Sequence, residues 1–192
     1  ELMSTKDYSQ VKPWLYKGSI WETESQYWTW LRGEVRRIWA NYTVAKNFKT
    51  SQMIPIPAAM KPSFSKLTKK VGQCCQCKQL FVGSKLQIDH KEETEGCKNY
   101  KEFHDFVDRM CMIDYSEMGV ICKPCHKVKT HAARYSMSYE DAAVEKEAIL
   151  ILKEKRDKEW LIAQSIKPAT SVKLRRQQII TKLKEDNNAT NI

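Results

Sequence analysis

Long apolar runs are missing from this chain of 192 residues: no stretch approaches the roughly 18 residues of a membrane-spanning helix. A secretion signal is missing too, because the N-terminus is polar and charged. Glycine and proline number only six each, which argues against a low-complexity, disordered chain. These absences predict a cytoplasmic protein, not a membrane protein, with one core of ordinary size and appended arms.

Acidic residues are outnumbered along most of the chain. There are 33 Lys and Arg against 23 Asp and Glu, which gives a net charge of +10 and an isoelectric point near 9.2. This balance favours a polyanionic partner, although a solvated basic surface would give the same count. Residues 91–117 reverse it, with eight acidic side chains against four basic ones. We expect that acidic insert to face away from phosphates.

Disulfide frameworks are disfavoured by the odd number of cysteines, seven. Four of the seven form two Cys-x-x-Cys pairs, which are Cys74 with Cys77 and Cys122 with Cys125. Two such pairs supply the four thiolates of a tetrahedral structural zinc site. The alternatives are disulfides or unpaired core cysteines. Cys97 and Cys111 lack motif spacing and are predicted to be structural thiols.

The segment Leu86–His90 lies between the two cysteine pairs. Its apolar and polar residues alternate, which predicts a short, half-buried strand. Neighbouring side chains on a strand point to opposite faces, so one residue of the pair Asp89 and His90 could bind a metal while the other reaches a substrate. A strand histidine that is merely a hydrogen-bonded polar residue is the simpler alternative.

Taken together, these motifs resemble the HNH endonucleases with a ββα-metal fold, in their zinc-stapled, phage-type subfamily. The matching residues are Cys74, Cys77, Ile88, Asp89, His90, Val120, Ile121, Cys122, Cys125, His126, Lys129 and Thr130. The resemblance implies that His90 is a general base that activates water. It also implies that Asp89 and His126 hold a catalytic Mg²⁺ or Mn²⁺. Glu117 stands where the family usually carries an asparagine that supports the loop beside the histidine strand.

The resemblance implies a fold and a reaction. The fold is α+β, with an HNH core and a four-cysteine Zn²⁺ site between N- and C-terminal helical arms. The reaction is metal-dependent hydrolysis of phosphodiesters in double-stranded DNA, with nicking by a monomer and double-strand cleavage by a homodimer. Two alternatives stay open: a catalytically inactive, zinc-stapled DNA-binding module, and an RNase or toxin-like nuclease with the same site.

Three regions are predicted: an arm and linker at 1–63, a nuclease core at 64–136, and a second arm at 137–192. Residues 3–22 should be irregular, and 51–63, with three prolines, should form a linker. One helix is predicted from about Ser25 to Lys49. Its expected apolar stripe is Trp28, Leu31, Val35, Ile38, Tyr42 and Ala45.

Further elements follow the histidine strand. A helix is predicted at Lys101–Met112, with His104 as a surface residue, and a second strand at Gly119–Cys122. Another helix should begin at His126. His131 lies five residues further on, about 140° around that helix from His126. We therefore predict that His131 contacts a phosphate or is a surface residue, and that it is not a second ligand of the catalytic metal.

In the C-terminal arm, Ser138 should cap a helix that continues to about Ser165, and Pro168 should interrupt the chain. A last helix is predicted from Val172 to Lys184, and it could serve DNA binding or an oligomer contact. Residues from Asn187 onward are predicted to be disordered. The candidate DNA-binding residues over the whole chain are Arg32, Arg36, Arg37, Lys127, Lys129, His131, Arg175 and Arg176.

Overall fold

The computed structural model describes residues 11–92 and 94–190, with side chains through residue 187. The chain contains helices and short β-strands, so the α+β prediction is confirmed at that level. It divides into two compact units after Cys122, which we call unit 1 (up to Cys122) and unit 2 (from Lys123). This division does not coincide with the predicted boundaries at 63/64 and 136/137.

The N-terminal arm has a 3-10 turn at Pro13–Leu15, and the predicted irregular stretch is otherwise confirmed over residues 11–22. Its first part, residues 3–10, lies outside the described residues. Helix α1 follows at Glu24–Asn41, and helix α2 at Thr43–Ser51. Thr23 and Gln26 form a capping box at the start of α1.

The prediction of one continuous helix over 25–49 is wrong, because Tyr42 interrupts it. Its backbone is extended, with φ −63° and ψ 126°. The Asn41 side chain donates to the carbonyl of Arg37, a local bond that competes with helical pairing. On these two helices the buried side chains are Trp28, Val35, Trp39, Ala45 and Phe48. Ile38, predicted to be inward, is 64% exposed, because the buried face runs through Trp39 instead.

Residues 51–63 are not an unstructured linker, so that prediction is also wrong. Strand β1 (Met53–Pro55) pairs antiparallel with β2 (Lys70–Gln73), which pairs with β3 (Leu80–Phe81). A 3-10 turn occupies Ala58–Ser63. The prolines are compatible with pairing because β1 is an edge strand and Pro55 is its last residue.

A second, two-stranded sheet carries the histidine strand. Strand β4 (Leu86–His90) has its predicted bounds, and β5 (Met118–Cys122) begins one residue earlier than predicted. The two are antiparallel, with Asp89 opposite Gly119 and His90 opposite Met118. Helix α3 (Tyr100–Cys111) lies between them in the chain. Asn99 caps it, and its first residue, Tyr100, precedes the predicted start by one residue.

Over residues 123–190, unit 2 has four helices: α4 (Lys123–Tyr135), α5 (Tyr139–Lys153), α6 (Asp157–Ala163) and α7 (Val172–Thr190). Helix α4 begins three residues before His126, because Pro124 is acceptable in a first helical turn. The core cluster of this unit is formed by Ala148, Ile151, Leu161 and Ile179. Leu174, an apolar residue near the start of α7, is 55% exposed.

The expected helix from Ser138 to Ser165 is divided in two. Ser138 caps it as predicted, by accepting from the N–H of Asp141 at 3.0 Å. The division is at Lys155, whose φ is +57°, and the N–H of Arg156 there donates to the carbonyl of Ile151. The chain is non-helical around Pro168, as predicted. Helix α7 extends to Thr190, so the expected disorder is wrong for residues 187–190, and residues 191–192 lie outside the described part.

Within the described residues, we find no helix with both the length and the apolar character needed to cross a membrane.

Candidate metal centre and candidate active site

The two Cys-x-x-Cys pairs meet in one cluster. The Sγ atoms of Cys74, Cys77, Cys122 and Cys125 all lie within 4.8 Å of one another. The first pair occupies the turn between β2 and β3, and Cys122 ends β5. Cys125 lies in the first turn of α4. The predicted convergence of the four cysteines is therefore confirmed.

The cluster has dimensions that suit a tetrahedral ion. Four sulfur atoms at about 2.3 Å from one zinc lie about 3.8 Å from each other. The Sγ atoms of Cys77 and Cys122 are 4.0 Å apart. Four thiol sulfurs are also the donor set of closed structural zinc sites. A structural metal such as zinc therefore fits this site.

Backbone N–H groups prepare Cys74 to be a thiolate. Burial on its own would raise the pKa of this thiol, since Cys74 is fully buried. Hydrogen bonds from the backbone N–H groups of Cys122, Cys77 and Gln76 stabilise the thiolate and outweigh the effect of burial, so the pKa of Cys74 is lowered to about 7. The N–H of Cys122 lies 3.3 Å from the Cys74 sulfur. Because a thiolate is the form that binds metal, this arrangement favours coordination.

The other two predicted structural thiols lie outside the cluster. Cys97 is fully buried, and burial raises its pKa. Cys111 is half-buried at the end of α3, and burial raises its pKa as well. A raised pKa keeps a thiol neutral and unreactive, so the prediction that both are structural is consistent with their surroundings.

His90 is held by two neighbours at the end of β4. Its Nε2 lies 3.0 Å from the carbonyl oxygen of Met110 in α3. Its ring packs against the indole of Trp39 in α1, with 4.5 Å between ring centroids. Trp39 is buried and His90 is half-buried. Two helices of unit 1 therefore orient this imidazole.

The contact with Met110 selects a tautomer. A carbonyl oxygen only accepts hydrogen bonds, so Nε2 of His90 must carry the proton and donate it. In the neutral ring Nδ1 then bears the lone pair.

Glu117 stabilises the turn that leads into β5. Its carboxylate accepts from the N–H of Asp114 at 3.1 Å, and this pair forms a capping box around the 3-10 turn Tyr115–Glu117. The Glu117 carbonyl accepts from the N–H of Lys91 at 2.8 Å, next to His90. A glutamate thus supports the loop beside the histidine strand, at the position where the HNH resemblance leads one to expect asparagine.

A small cavity opens beside His90. Its volume is about 190 Å³, and His90, Lys91, Arg109, Ser116 and Glu117 are among its lining residues. Arg109 comes from the last turn of α3. The acidic insert, which the charge count predicts to face away from DNA, therefore contributes both a hydrogen bond to His90 and a wall of this cavity.

The two residues predicted to hold a catalytic metal lie on different elements. Asp89 is half-buried on β4, opposite Gly119, and His126 is half-buried in the first part of α4. Within the described ranges, the four cysteines form the only group of three or more Cys, His, Asp or Glu that could hold a metal ion. The assignment of Asp89 and His126 to a metal thus stays a prediction.

The arginines of α1, predicted to bind DNA, have partners within unit 1. Arg32 donates to the carbonyl of Cys97 at 2.5 Å. The guanidinium of Arg36 lies 5.4 Å from the ring centroid of Phe106, and burial, followed by repulsion from Arg32, lowers its pKa. Arg37 pairs with Glu34 at 2.6 Å, and its side chain is 70% exposed. Arg37 is the most accessible of the three for a phosphate.

Three candidates in unit 2 are also engaged. Arg175 is 7% exposed, and its guanidinium donates to Asp157 and to the carbonyls of Ala169 and Thr170. Glu145 accepts from Arg176 at 2.9 Å and lies 3.1 Å from Nε2 of His131.

His131 is therefore not a surface residue, because its side chain is only 12% exposed. On α4 Lys127 is exposed and Lys129 is half-buried. By contrast, His104 is a surface residue as predicted: its side chain is 84% exposed and lies 3.2 Å from Asp108.

Three contributors to these sites carried no motif in the sequence. They are Trp39, the Met110 carbonyl and Glu145. A main-chain carbonyl has no sequence signal at all. Trp39 had a weak one, because it lies four residues after Val35 on the same helix face.

Comparisons with protein-family models, with curated proteins and with solved structures each found no match.

Proposed function

We propose that this protein is a metal-dependent DNA endonuclease of the HNH type, in which His90 is the general base. The observation that carries the proposal is the orientation of His90. The Met110 carbonyl lies 3.0 Å from Nε2, and His90 is one of the residues that line a cavity on the protein surface. A general base needs an oriented ring, and this arrangement provides the orientation.

In the reaction, Nδ1 of His90 takes a proton from a water molecule. The oxygen of that water forms a bond to phosphorus, the bond from phosphorus to the leaving oxygen breaks, and that oxygen takes a proton from solvent. Asp89 and His126 would hold Mg²⁺ or Mn²⁺, which would neutralise charge on the phosphate and the leaving oxygen. A carboxylate oxygen and an imidazole nitrogen are suitable donors for such ions.

The four-cysteine cluster supports the site from a distance. It joins the turn after β2 to the end of β5, the strand that pairs with β4. With four protein ligands a bound zinc has no open position, so its role is structural. Because β5 pairs with β4, we expect loss of a bound zinc to disturb the strand that carries His90.

The charge of the chain favours DNA as the substrate. A net charge of +10 gives long-range attraction to a polyanion, and Arg37 and Lys127 are exposed basic side chains on α1 and α4. Cytoplasmic action on double-stranded DNA, by a monomer or a homodimer, is the corresponding biological setting.

A plasmid-nicking assay tests the proposal. Supercoiled DNA is incubated with the zinc-loaded protein and added Mg²⁺ or Mn²⁺, and matched samples contain EDTA or a structured RNA. Metal-dependent conversion to open-circular or linear DNA is expected. DNA binding without cleavage would identify an inactive DNA-binding module, and cleavage of RNA alone would identify an RNase.

A further inference from the structure

The insert between the two strands of the histidine sheet brings a cation to the proposed site. Met110, whose carbonyl binds His90, is preceded by Arg109, and Arg109 lines the cavity that His90 also lines. Residues 91–117 are acidic as a whole, so a basic side chain at this point is an exception within its segment. The hydrogen bond from His90 to the Met110 carbonyl fixes the position of this part of α3, including Arg109, relative to His90.

Arg109 borders two cavities of unit 1, and their charges differ. The larger, of about 960 Å³, is lined by the carboxylates of Glu24, Glu95, Glu102 and Asp105 and by the cations of Arg32, Lys98 and Arg109. Carboxylates therefore outnumber cations there, which disfavours an anion. In the smaller cavity, His90, Lys91 and Arg109 accompany two carboxylates, Glu92 and Glu117. The Glu117 carboxylate already accepts a hydrogen bond from the N–H of Asp114. An anionic ligand of Arg109 is therefore better placed in the His90 cavity.

The chemistry of arginine suits such a ligand. A guanidinium presents a planar fork of donors that matches two oxygens of one phosphate group. Within the part of the chain that the structure describes, the Arg109 side chain makes no hydrogen bond or ion pair, and it is exposed. Its donors are thus not committed to a protein partner there, in contrast to those of Arg32 and Arg175.

We propose that Arg109 is a phosphate-binding residue of the His90 cavity, donating two hydrogen bonds to the non-bridging oxygens of a DNA phosphate. This inference rests on the proposed nuclease function and adds a specific substrate contact to it. The acidic insert then has a defined role: it orients the base through Met110 and binds the phosphate through Arg109.

The test compares three variants with the zinc-loaded wild-type protein. Arg109→Ala removes the donors and the charge, whereas Arg109→Lys keeps the charge but loses the fork. Lys101→Ala is the matched control, because it removes one positive charge from an exposed position on the same helix. Binding of a short DNA duplex is measured by fluorescence anisotropy across a salt titration, without catalytic metal. Plasmid nicking is then measured with Mn²⁺.

The proposal predicts that Arg109→Ala loses one phosphate contact. The slope of log affinity against log salt should become shallower by about 0.9, the change expected for one released counterion. The nicking rate should fall by about 10- to 100-fold, as for a lost hydrogen bond to a charged group. Arg109→Lys should keep the wild-type slope but nick more slowly than wild type. Lys101→Ala should match wild type in both measurements.

The two readouts separate this inference from the proposed function. If wild type binds DNA but does not nick it, the nuclease proposal fails, and a shallower slope in Arg109→Ala still supports the phosphate contact. If Arg109→Ala and Lys101→Ala give the same slope, the phosphate contact is refuted, whether or not wild type nicks DNA.

Discussion

The imidazole of His90 and the indole of Trp39 are packed together, with 4.5 Å between their centroids and 40° between their planes. Trp39 is 8% exposed, and it belongs to the face of α1 that packs into unit 1. The proposed catalytic base therefore lies against a core residue, so its orientation is coupled to the packing of the N-terminal helix.

Trp39→Ala should destabilise the protein through the cavity that it leaves. Truncation of a buried tryptophan typically costs about 3–5 kcal/mol. The measurement is the midpoint of denaturant unfolding. Trp30→Ala, at a position that is 42% exposed, is the matched control and should cost clearly less. Equal losses for the two variants would show that Trp39 is not part of the core.

Zinc should be bound by the cysteine cluster, at one ion per chain. Cys122→Ser removes one of the four ligands, and because structural zinc is coupled to folding, the variant should lose both zinc and cooperative unfolding. The control is Cys75→Ser, in the turn that carries Cys74 and Cys77 but outside the cluster, which should keep its zinc. Metal analysis of the purified proteins decides the matter, and a wild-type protein without bound metal would refute the site.

The pair of Asp157 and Arg175 should contribute strongly to the stability of unit 2. Both are buried, and Asp157→Ala would leave the Arg175 guanidinium without its countercharge. Breaking such a pair costs about 3–5 kcal/mol. Lys182→Ala breaks the i,i+4 pair with Asp186, whose two side chains are 26% and 50% exposed, and should cost about 0.3–0.5 kcal/mol. Thermal unfolding compares the two, and similar losses would contradict this account.

The same pair predicts a pH dependence. The hydrogen bond from Arg175 holds the pKa of the Asp157 carboxyl below its ordinary value. A depressed carboxyl pKa stabilises the fold above the unfolded value of about 3.9, and this contribution is lost as the pH falls toward the folded value. Asp157→Asn should therefore reduce the loss of stability on acidification below about pH 4. An acid-unfolding curve as steep as that of wild type would contradict this prediction.

His131→Ala tests whether this histidine binds phosphate or supports the fold. Its contact with Glu145 and its low exposure favour the second role. The variant should lose about 1–3 kcal/mol of stability, because the Glu145 carboxylate loses one partner. The salt slope of DNA binding should not change. A shallower slope with unchanged stability would instead support the phosphate contact predicted from the sequence.

The sequence was most informative where a local pattern has one physical meaning. The alternation at Leu86–His90 predicted β4, paired cysteines predicted the cluster, and a serine before an acidic turn predicted the cap at Ser138. The strand and the cap depend on neighbours in the chain. The cluster joins two local pairs that lie far apart in the sequence, and it was predictable because four thiolates complete one zinc site.

Helix ends in unit 2 were harder to predict, for a specific reason. Residues 120–192 contain no glycine, the usual residue at a left-handed helix end. Ser136, Lys155 and Ser165 take that conformation instead, with φ between 51° and 60°. The division of the predicted helix at Lys155 therefore had no signal in the sequence.

Charge counting described the insert incompletely because it averages over a segment. Eight carboxylates against four basic groups predicted a stretch that faces away from DNA. The Met110 carbonyl, which has no charge, nevertheless contacts His90, and Arg109 lines the same cavity. Likewise, basic residues counted as DNA contacts proved to have protein partners, as Arg175 does with Asp157. Such pairings depend on the three-dimensional structure.

The most direct test of the nuclease proposal is the nicking rate of His90→Ala across a Mn²⁺ titration, with His104→Ala as the matched control. His104 is exposed on α3 and is assigned no role in the site. A general base contributes about 10²- to 10⁴-fold, so nicking by His90→Ala should fall at least that far, without rescue by excess Mn²⁺. Zinc content and DNA affinity should stay unchanged, and His104→Ala should nick like wild type. Asp89→Ala and His126→Ala should also lose activity, with partial rescue by Mn²⁺. Wild-type nicking by a His90→Ala protein that still binds DNA would contradict the assignment of His90 as the base.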